Sequence, residues 1–351
     1  MEDDALDRDA RIELSITKES GEDDGQFYDP YGLAFDHHRG LLLVVARTDH
    51  RVEVFSCEDG SLVSKLGEFG DQPGQFQFPY GIAIDDDYDR ILITDTSKHR
   101  VHALSLSDQS FLSCIGQRGS GSSEFSSSIR GVAFDKHHHR TIIVDRDNDR
   151  LVFLSSIDLS FMFEIGGEYG SRPGEFRSPS GVAIDHDRHR IIVIDTGNHR
   201  VQVLSLIDGS FLFEFGSKGD QPGQLKYPEG VCIANQGRII VADSHNYRLQ
   251  SFTHEGHHIS SFDCRRKCPI AVTFDEHRGL IAFTAGHGVH VIGANQWLAD
   301  TFTWRPDLHR YAPSWMKQVI STMTMIRSLV DECSAMSMIP NELLFEIFSH
   351  L

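Results

Sequence analysis

The sequence lacks cysteines in a pattern that would indicate disulfide bonds or a zinc site. Its 351 residues include six cysteines, which do not recur at one position of a repeat: Cys57, Cys114, Cys232, Cys264, Cys268 and Cys333. Cys264 and Cys268 are close together, but neither a second cysteine pair nor a well-spaced histidine pair completes a zinc site. We therefore expect neither a disulfide framework nor a metal or other cofactor, and the sequence predicts a reduced, cytoplasmic protein.

Long apolar runs are missing as well. The chain opens Met1-Glu2-Asp3-Asp4, without the basic region and apolar stretch of a secretory signal. One of the longest apolar runs, residues 41–46, is much shorter than the roughly 20 residues that cross a bilayer as a helix. We therefore expect no association with a membrane.

Positive charge is scarce. The sequence has 51 Asp and Glu against 33 Lys and Arg, which gives a net charge of −18. Residues 2–24 account for −7 of this charge, so −11 remains for the rest of the chain. General binding of nucleic acid depends on Lys and Arg that neutralise phosphates, so RNA is a less favoured partner than protein.

Repetition is the dominant feature that is present. A segment of the form Gly-apolar-Ala-apolar-Asp occurs intact at residues 32–36, 81–85, 131–135 and 181–185. A fifth copy at 230–234 has lost its aspartate, and a degenerate sixth copy lies at 270–275. The first five copies begin 49 or 50 residues apart, and the sixth follows after 40. A fixed period of this length is typical of propellers and related repeat folds.

Each unit contains four short strand patterns separated by polar turns. In the second unit, alternating apolar and β-branched residues occupy 81–85, 90–94, 100–104 and 110–115. No stretch between residues 25 and 300 shows sustained helical periodicity. Four-stranded sheets repeated radially form a propeller, whose closure hides the sheet edges. The sequence thus predicts an all-β, six-bladed β-propeller with a short α-helical C-terminal extension.

Two elements of the repeat resemble the NHL repeat family. The segment Asp195-Thr-Gly-Asn-His-Arg-Val is similar to the Asn-His-Leu-type element that names the family, and related segments begin at Asp95, Asp145 and Asp243. The connector at residues 70–81 is similar to the family's link between repeats. The resemblance covers roughly residues 21–300. It departs at Ala46, which stands where the aspartate should be, and at residues 285–289.

The predicted organisation has three parts. An acidic N-terminal segment covers residues 1–24, the propeller covers 25–300, and a linker with amphipathic helices covers 301–351. Two segments compete for the outer strand of the last blade, residues 11–17 and residues 295–304. We favour the N-terminal segment, because joining both ends of the chain in one sheet locks the ring.

The Asp and Arg of each Asp-x4-Arg element are predicted to be scaffold residues. A single binding site would not need five copies, whereas a turn between strands is needed in every blade. We expect the carboxylate to accept N–H groups of the turn and the guanidinium to tie strands together.

Residues that vary on this constant scaffold form the candidate site. Those before the repeated glycine are expected around the mouth of the central channel: Tyr31, Tyr80, Arg130, Ser180, Glu229 and Pro269. The loop between the second and third strands lies on the same face and adds a second series: Arg47, Thr96, Arg146, Thr196 and Ser244. Tyrosine and arginine are enriched in protein-binding hot spots. The predicted partner-binding rim is therefore Tyr31, Tyr80, Arg130, Glu229, Arg47 and Arg146, and the alternative is that exposed loop residues vary without a function.

Histidine is frequent, with 20 residues. Many lie in the turns between first and second strands: His37, His38, His137, His138, His139, His186, His189 and His277. Because these turns belong to different blades, we expect them not to converge on a metal. Solvated turn residues are the preferred interpretation, and a pH-sensitive surface is the alternative.

The C-terminal segment has helical spacing, with one apolar stripe in residues 314–333 and another in 339–351. Residues 339–351 resemble the opening helix of an F-box, the module that docks substrate receptors onto cullin-type ubiquitin ligases. The matching residues in that helix are Pro340, Leu343, Leu344, Ile347, Phe348 and Leu351. The resemblance implies an adaptor of a cullin ligase as a partner. The alternative is that both helices pack in cis.

Three functions follow from these patterns. The leading one is a non-enzymatic protein-binding scaffold, which the F-box resemblance extends to a substrate receptor in ubiquitin-dependent turnover. The second is RNA binding, which some NHL propellers perform, through a patch of Arg47, Arg130 and Arg146. The third is a metal-dependent lyase or lactonase of the kind found in related propellers. Such enzymes need convergent ligands, whereas Glu229 is the one carboxylate in the channel-mouth series.

Overall fold

The computed structural model describes residues 12–16, 27, 29–294 and 297. The predicted helix at 339–351 lies outside these residues. No helical segment in the part described is long and apolar enough to span a bilayer. The strands are β1 (Ile12–Ile16), β2 (Pro30–Asp36), β3 (Leu41–Ala46), β4 (Arg51–Ser56), β5 (Leu62–Leu66), β6 (Pro79–Asp85), β7 (Arg90–Asp95), β8 (Arg100–Ser105), β9 (Phe111–Ile115), β10 (Gln117–Arg118), β11 (Glu124–Phe125), β12 (Ile129–Asp135), β13 (Arg140–Asp145), β14 (Arg150–Ser155), β15 (Phe161–Gly166), β16 (Val182–Asp185), β17 (Arg190–Asp195), β18 (Arg200–Ser205), β19 (Phe211–Phe215), β20 (Val231–Ala234), β21 (Arg238–Asp243), β22 (Arg248–Phe252), β23 (His258–Asp263), β24 (Pro269–Asp275), β25 (Leu280–Ala285) and β26 (Gly288–Gly293).

Twenty-four of these strands form six four-stranded antiparallel blades, and β10 and β11 form a short parallel pair in the connector between blades 2 and 3. The fold is therefore an all-β, six-bladed propeller. Blades 1 to 5 each use four consecutive strands, in the orders β2 to β5, β6 to β9, β12 to β15, β16 to β19 and β20 to β23. The first strand of each blade contacts the first strands of its neighbours, which closes an inner ring. Short 3-10 turns follow several strands: Asp86–Tyr88, Thr96–Lys98, Arg146–Asn148, Thr196–Asn198, Asn235–Gly237 and Ser244–Asn246.

The sixth blade is completed by the start of the chain. Its order is β1-β26-β25-β24, and β1 pairs with β26 through Leu14↔Val291 and Ile16↔Val289. The closing strand therefore lies within residues 11–17, the segment favoured from the sequence. Of the competing segment 295–304, the structure describes Trp297 alone.

The hydrophobic core is distributed over the six seams between adjacent blades. One cluster, for example, joins Val45 and Val54 of blade 1 to Ile91 and Leu104 of blade 2. The connectors that follow blades 1 to 4 each add an apolar plug with no exposed surface, and these plugs are Phe76, Phe125, Phe176 and Leu225. The plugs bury apolar area against two blades at once, which fixes the angle between neighbouring blades.

An Asp–Arg ion pair fastens each regular blade to its connector. In blade 4, Arg200 Nε lies 2.8 Å from Asp195 Oδ2, and Arg200 also donates to the carbonyls of Ser171 and Glu175 in the connector. The other Asp195 oxygen accepts the N–H of Arg177 at 2.8 Å. Equivalent pairs join Asp145 to Arg150 and Asp243 to Arg248. In blade 2 the contact is longer, since Arg100 lies 3.9 Å from Asp95, although Arg100 still donates to the connector carbonyl of Gln75. The predicted scaffold role of the Asp-x4-Arg element is thus confirmed.

The Asn-His element closes the same turn. Asn198 Nδ2 donates to Asp195 Oδ2 at 2.9 Å and to the connector carbonyl of Gly170 at 2.8 Å. His199 follows with φ of 57°, and this left-handed residue ends the 3-10 turn. Asparagine recurs with the same two acceptors at Asn148 and Asn246.

Blade 1 departs from this pattern at Ala46, yet its arginine is still paired. Arg51 Nε donates to Glu53 Oε1 at 2.8 Å, and the Glu53 side chain is fully buried. Glu53 faces Val44 across the sheet, just as Gln202 faces Val193 in blade 4. There the glutamine donates to the repeated aspartate at 3.0 Å. The carboxylate that pairs with the arginine is therefore on the third strand in blade 1, whereas it is on the second strand in blade 4.

The relocated carboxylate leads to a prediction about stability. Glu53→Gln removes the anionic partner of Arg51 and should lower the free energy of unfolding by about 1–3 kcal/mol. Combining it with Ala46→Asp rebuilds the arrangement of blade 4 and should recover most of that loss. Urea unfolding of the two single variants and the double variant measures both effects. A double variant that is no more stable than Glu53→Gln would contradict the idea that Glu53 replaces the aspartate that is missing at position 46.

Candidate functional site

The six inner strands surround a central channel. It encloses about 520 Å³, including the part that is open to solvent. Glycines and branched apolar residues form most of the wall, among them Ile82, Val132, Val182, Val231 and Val272. Polar groups gather at one end, where Tyr31, Tyr80 and Glu229 line the mouth. The channel thus has an apolar throat and a polar mouth.

The repeated glycine brings neighbouring inner strands together at this mouth. A Cβ atom on Gly81 would lie 2.3 Å from the carbonyl oxygen of Arg130, and one on Gly181 would lie 2.5 Å from that of Glu229. The residue before the glycine sits at a register shift, since pairing passes from Pro79↔Asp95 to Ile82↔Ile93. Such bulges redirect side chains, and here they hold the variable residue at the mouth.

The loop series lies on the same face as the mouth series. Pro30 pairs with Ala46, so Arg47 lies opposite Asp29 at the same end of the sheet as Tyr31, and its N–H donates to the Asp29 carbonyl at 3.1 Å. The Arg47 guanidinium lies 5.1 Å from the centre of the Tyr31 ring and 5.3 Å from that of Phe78. An ion pair with Asp29 at 3.2 Å adds a third contact. Arg47 is therefore held in place by two rings and a carboxylate.

Tyr80 is a support for the rim. It is 9% exposed, and the Arg130 guanidinium lies 4.2 Å above its ring and donates to its hydroxyl. Burial raises the pKa of Tyr80, so the phenol keeps its proton at neutral pH. Its ring also contacts Tyr31 at 4.5 Å. Tyr80 was expected as a contact residue on the surface, whereas the structure covers it with Arg130.

Glu229 lies between two guanidinium groups. Arg130 Nη1 is 3.5 Å from Glu229 Oε2, and Arg146 Nη1 is 3.5 Å from Oε1. Tyr80 donates its hydroxyl to Oε2 at 3.4 Å. The side chains of Arg130, Arg146 and Glu229 are each about one-fifth exposed. The mouth therefore combines residues of blades 2, 3 and 5 in one polar network.

All six predicted rim residues come together at the mouth, but one expectation about blade 6 is wrong. The pairing Pro269↔Ala285 matches Pro30↔Ala46, so Ile270 occupies the mouth position that was assigned to Pro269. Ile270 accordingly lines the channel.

Sequence reasoning missed a third variable series, the residue before each connector proline or its equivalent. Its members are Asp29, Phe78, Ser128, Ser178, Tyr227 and Cys268. Tyr227 packs between His199 and His245, with ring centres 4.4 and 4.8 Å away. The signal was present in the sequence, because this position changes from copy to copy just as the rim positions do.

The histidines of the opposite face meet in pairs across neighbouring blades. The ring of His137 in blade 3 lies 4.9 Å from that of His186 and 5.8 Å from that of His189, both in blade 4. His37 and His277 of blades 1 and 6 are 5.4 Å apart. Even so, the described residues contain no group of three or more His, Cys, Asp or Glu placed to hold a metal ion.

The comparisons with known proteins agree with this architecture. A family described as a 6-bladed beta-propeller matches residues 33–118. The NHL repeat family matches residues 176–204 and 225–252, so this propeller carries NHL repeats. Human E3 ubiquitin-protein ligase TRIM32 is 44% identical over 41 residues, which are 12% of this chain. That segment spans 6% of the ligase, so the likeness concerns a small part of it.

Several solved structures share the fold at low sequence identity. A gluconolactonase from Xanthomonas campestris has a TM-score of 0.58 and 15% identity, covering 76% of this chain and 86% of that one. A streptogramin B lyase has a TM-score of 0.55 and 12% identity, covering 80% and 96%. A chain of a nidogen/laminin complex has a TM-score of 0.54 and 15% identity, covering 70% and 84%. At these identities the likeness shows the fold alone.

The seam between blades 1 and 6 generates a prediction about pH. His37 Nδ1 lies 3.2 Å from Asp275 Oδ1, and this hydrogen bond raises the pKa of His37 against the opposing effect of burial. Protonated His37 therefore stabilises the fold below its unfolded pKa of about 6.5, and this contribution is lost as the pH rises through the raised folded value.

Thermal unfolding of the parent and of His37→Gln across this pH range measures the contribution. The parent should be the more stable protein in mildly acidic buffer, and the difference should shrink in alkaline buffer. The exposed neighbour His38 supplies the control variant His38→Gln. A His37→Gln deficit that does not change with pH would contradict the assignment.

Proposed function

We propose that this protein is a non-enzymatic scaffold that binds a partner protein at the channel mouth. The observation that carries the proposal is the convergence of Arg47, Arg130 and Arg146 with Tyr31 around one opening. These residues come from blades 1 and 3 and occupy positions that change from repeat to repeat. The repeated residues of the same blades are engaged in holding the fold.

The mouth arginines are held in place before a partner arrives. Arg47 rests on Tyr31 and Phe78, and Arg130 rests on Tyr80. A guanidinium over an aromatic face gains cation–π attraction and loses conformational freedom. Less entropy is then lost on binding, which favours affinity per contact. Arginine and tyrosine in a partly covered site are typical of interface hot spots.

The chemistry of the channel wall supports binding in preference to catalysis. Glu229 is the one carboxylate among the lining residues, and glycine and branched apolar side chains make up most of the rest. General acid–base catalysis uses positioned titratable groups that reach a reacting atom. The gluconolactonase and the lyase share the fold of this chain, but a shared fold at 15% and 12% identity carries no information about activity.

Charge reversal at the mouth tests the proposal. Arg146→Glu places a second carboxylate beside Glu229 and should reduce recovery of mouth-dependent partners about tenfold in affinity purification with mass spectrometry. Lys136→Glu is the matched control, because Lys136 is exposed in the same blade at the opposite end of the sheet. Identical partner lists for both variants would contradict a protein site at the mouth. A capture that nuclease treatment abolishes would favour RNA instead.

We further propose that residues 339–351 connect the scaffold to ubiquitin-dependent turnover. The support is the F-box-like sequence of that segment, together with the likeness of 41 residues of this chain to the human ligase. Leu344→Asp with Phe348→Asp in the full chain should abolish co-precipitation of a cullin-ligase adaptor and leave mouth-dependent partners unchanged. Recovery of the adaptor with the altered chain, or its absence with the parent, would contradict the link.

A further inference from the structure

Glu229 is held more loosely than the scaffold carboxylates. Its contacts with Arg130 and Arg146 are both 3.5 Å long, at the outer limit of a hydrogen bond. In blade 4 the Arg200–Asp195 contact is 2.8 Å, and the aspartate has no exposed surface. The Glu229 side chain is 19% exposed. Water or a ligand can therefore compete for the guanidinium groups that it contacts.

The main chain of Glu229 is fixed, in contrast to its carboxylate. Its carbonyl accepts a hydrogen bond from Ser180 Oγ at 2.7 Å, and its N–H donates to the carbonyl of Ala242 at 3.0 Å. A change of side-chain rotamer can thus remove the carboxylate from the two guanidinium groups without moving the inner strand.

We propose that the mouth binds an acidic side chain of a partner protein, and that Glu229 is an internal substitute which this side chain displaces. The inference rests on the proposed function, since it names the chemistry of the partner for the same site. Two guanidinium groups facing one carboxylate match the planar, charge-assisted recognition that arginine gives to carboxylates. The apolar throat below offers space to an apolar side chain next to the acidic residue.

If the partner displaces Glu229, the direction in which Glu229→Gln changes the affinity is fixed. Glu229→Gln keeps the shape of the side chain and removes the competing charge, so acidic ligands should bind more tightly. If the partner instead presented a cation to Glu229, the same substitution would weaken binding. The direction of the effect therefore separates an internal substitute from a direct contact residue.

The test begins with selection of ligands from a displayed random-peptide library on the full chain. A selected peptide and its counterpart with Gln or Asn in place of the acidic residue are then labelled with fluorescein, and affinities are measured by polarisation. We expect enrichment of Asp or Glu and a loss of about tenfold or more in the amide counterpart. For the acidic peptide, Glu229→Gln should tighten binding about threefold or more, and Arg146→Gln should weaken it about tenfold.

Controls separate the possible failures. Lys136→Gln should leave the affinity unchanged, and thermal melts should show that all variants are folded. Selected peptides that lack an acidic residue but depend on Arg146 would overturn the inference and retain a protein site at the mouth. Weaker binding by Glu229→Gln would also overturn it. No enriched peptide, or binding that ignores every mouth variant, would overturn both proposals, and the same mouth dependence for oligouridylate alone would favour RNA.

Discussion

The ion pair between the strand-end aspartate and the arginine five residues later holds this propeller together. In blade 4, Asp195 is fully buried, and Arg200 satisfies it while also donating to the carbonyls of the incoming connector. A buried carboxylate without a partner is costly, so the two residues must be kept together. Because the connector is part of the same network, one interaction fixes the second strand, the third strand and the link between blades. Blade 1 shows the strength of this requirement, since the loss of the aspartate at Ala46 is offset by Glu53.

Residues that hold the fold are distinct from the residues of the channel mouth. The Asp–Arg ion pairs, the connector plugs and the repeated glycines determine where the main chain runs. The residues before the glycine and after the aspartate differ between copies. Arg130 and Arg146 lie at the mouth, whereas Thr196 and Ser244 are buried and donate to carbonyl groups at the start of the next blade. At the mouth the result is a small cationic opening in a chain whose net charge is −18. A local cluster of this kind gives specificity for a partner rather than general attraction for polyanions.

Repetition explains why much of this was predictable from the sequence. Each copy samples the same environment, so the period indicated the blades, the strand order, the scaffold role of the Asp-x4-Arg element and the face shared by Arg47 and Tyr31. Features that depend on two blades were not accessible in the same way. The burial of Tyr80 under Arg130, the pairing of Glu229 with Arg146 and the contact of His137 with His186 each join residues of two different blades. Pro269 was misassigned by one residue, because the sixth copy carries Ala271 in place of the glycine that marks the register.

The claim that the repeated residues hold the fold while the arginines of the mouth are free for binding is tested most directly by thermal unfolding of two neighbouring variants. Arg150 belongs to the Asp–Arg ion pair of blade 3, and its side chain is 3% exposed. Arg146, four residues earlier, belongs to the mouth, and its side chain is 19% exposed. Arg150→Gln should lower the Tm by about 5 °C or more, and Arg146→Gln should leave it within about 1 °C of the parent. Equal losses from both substitutions would contradict the separation, and the mouth would then be part of the scaffold.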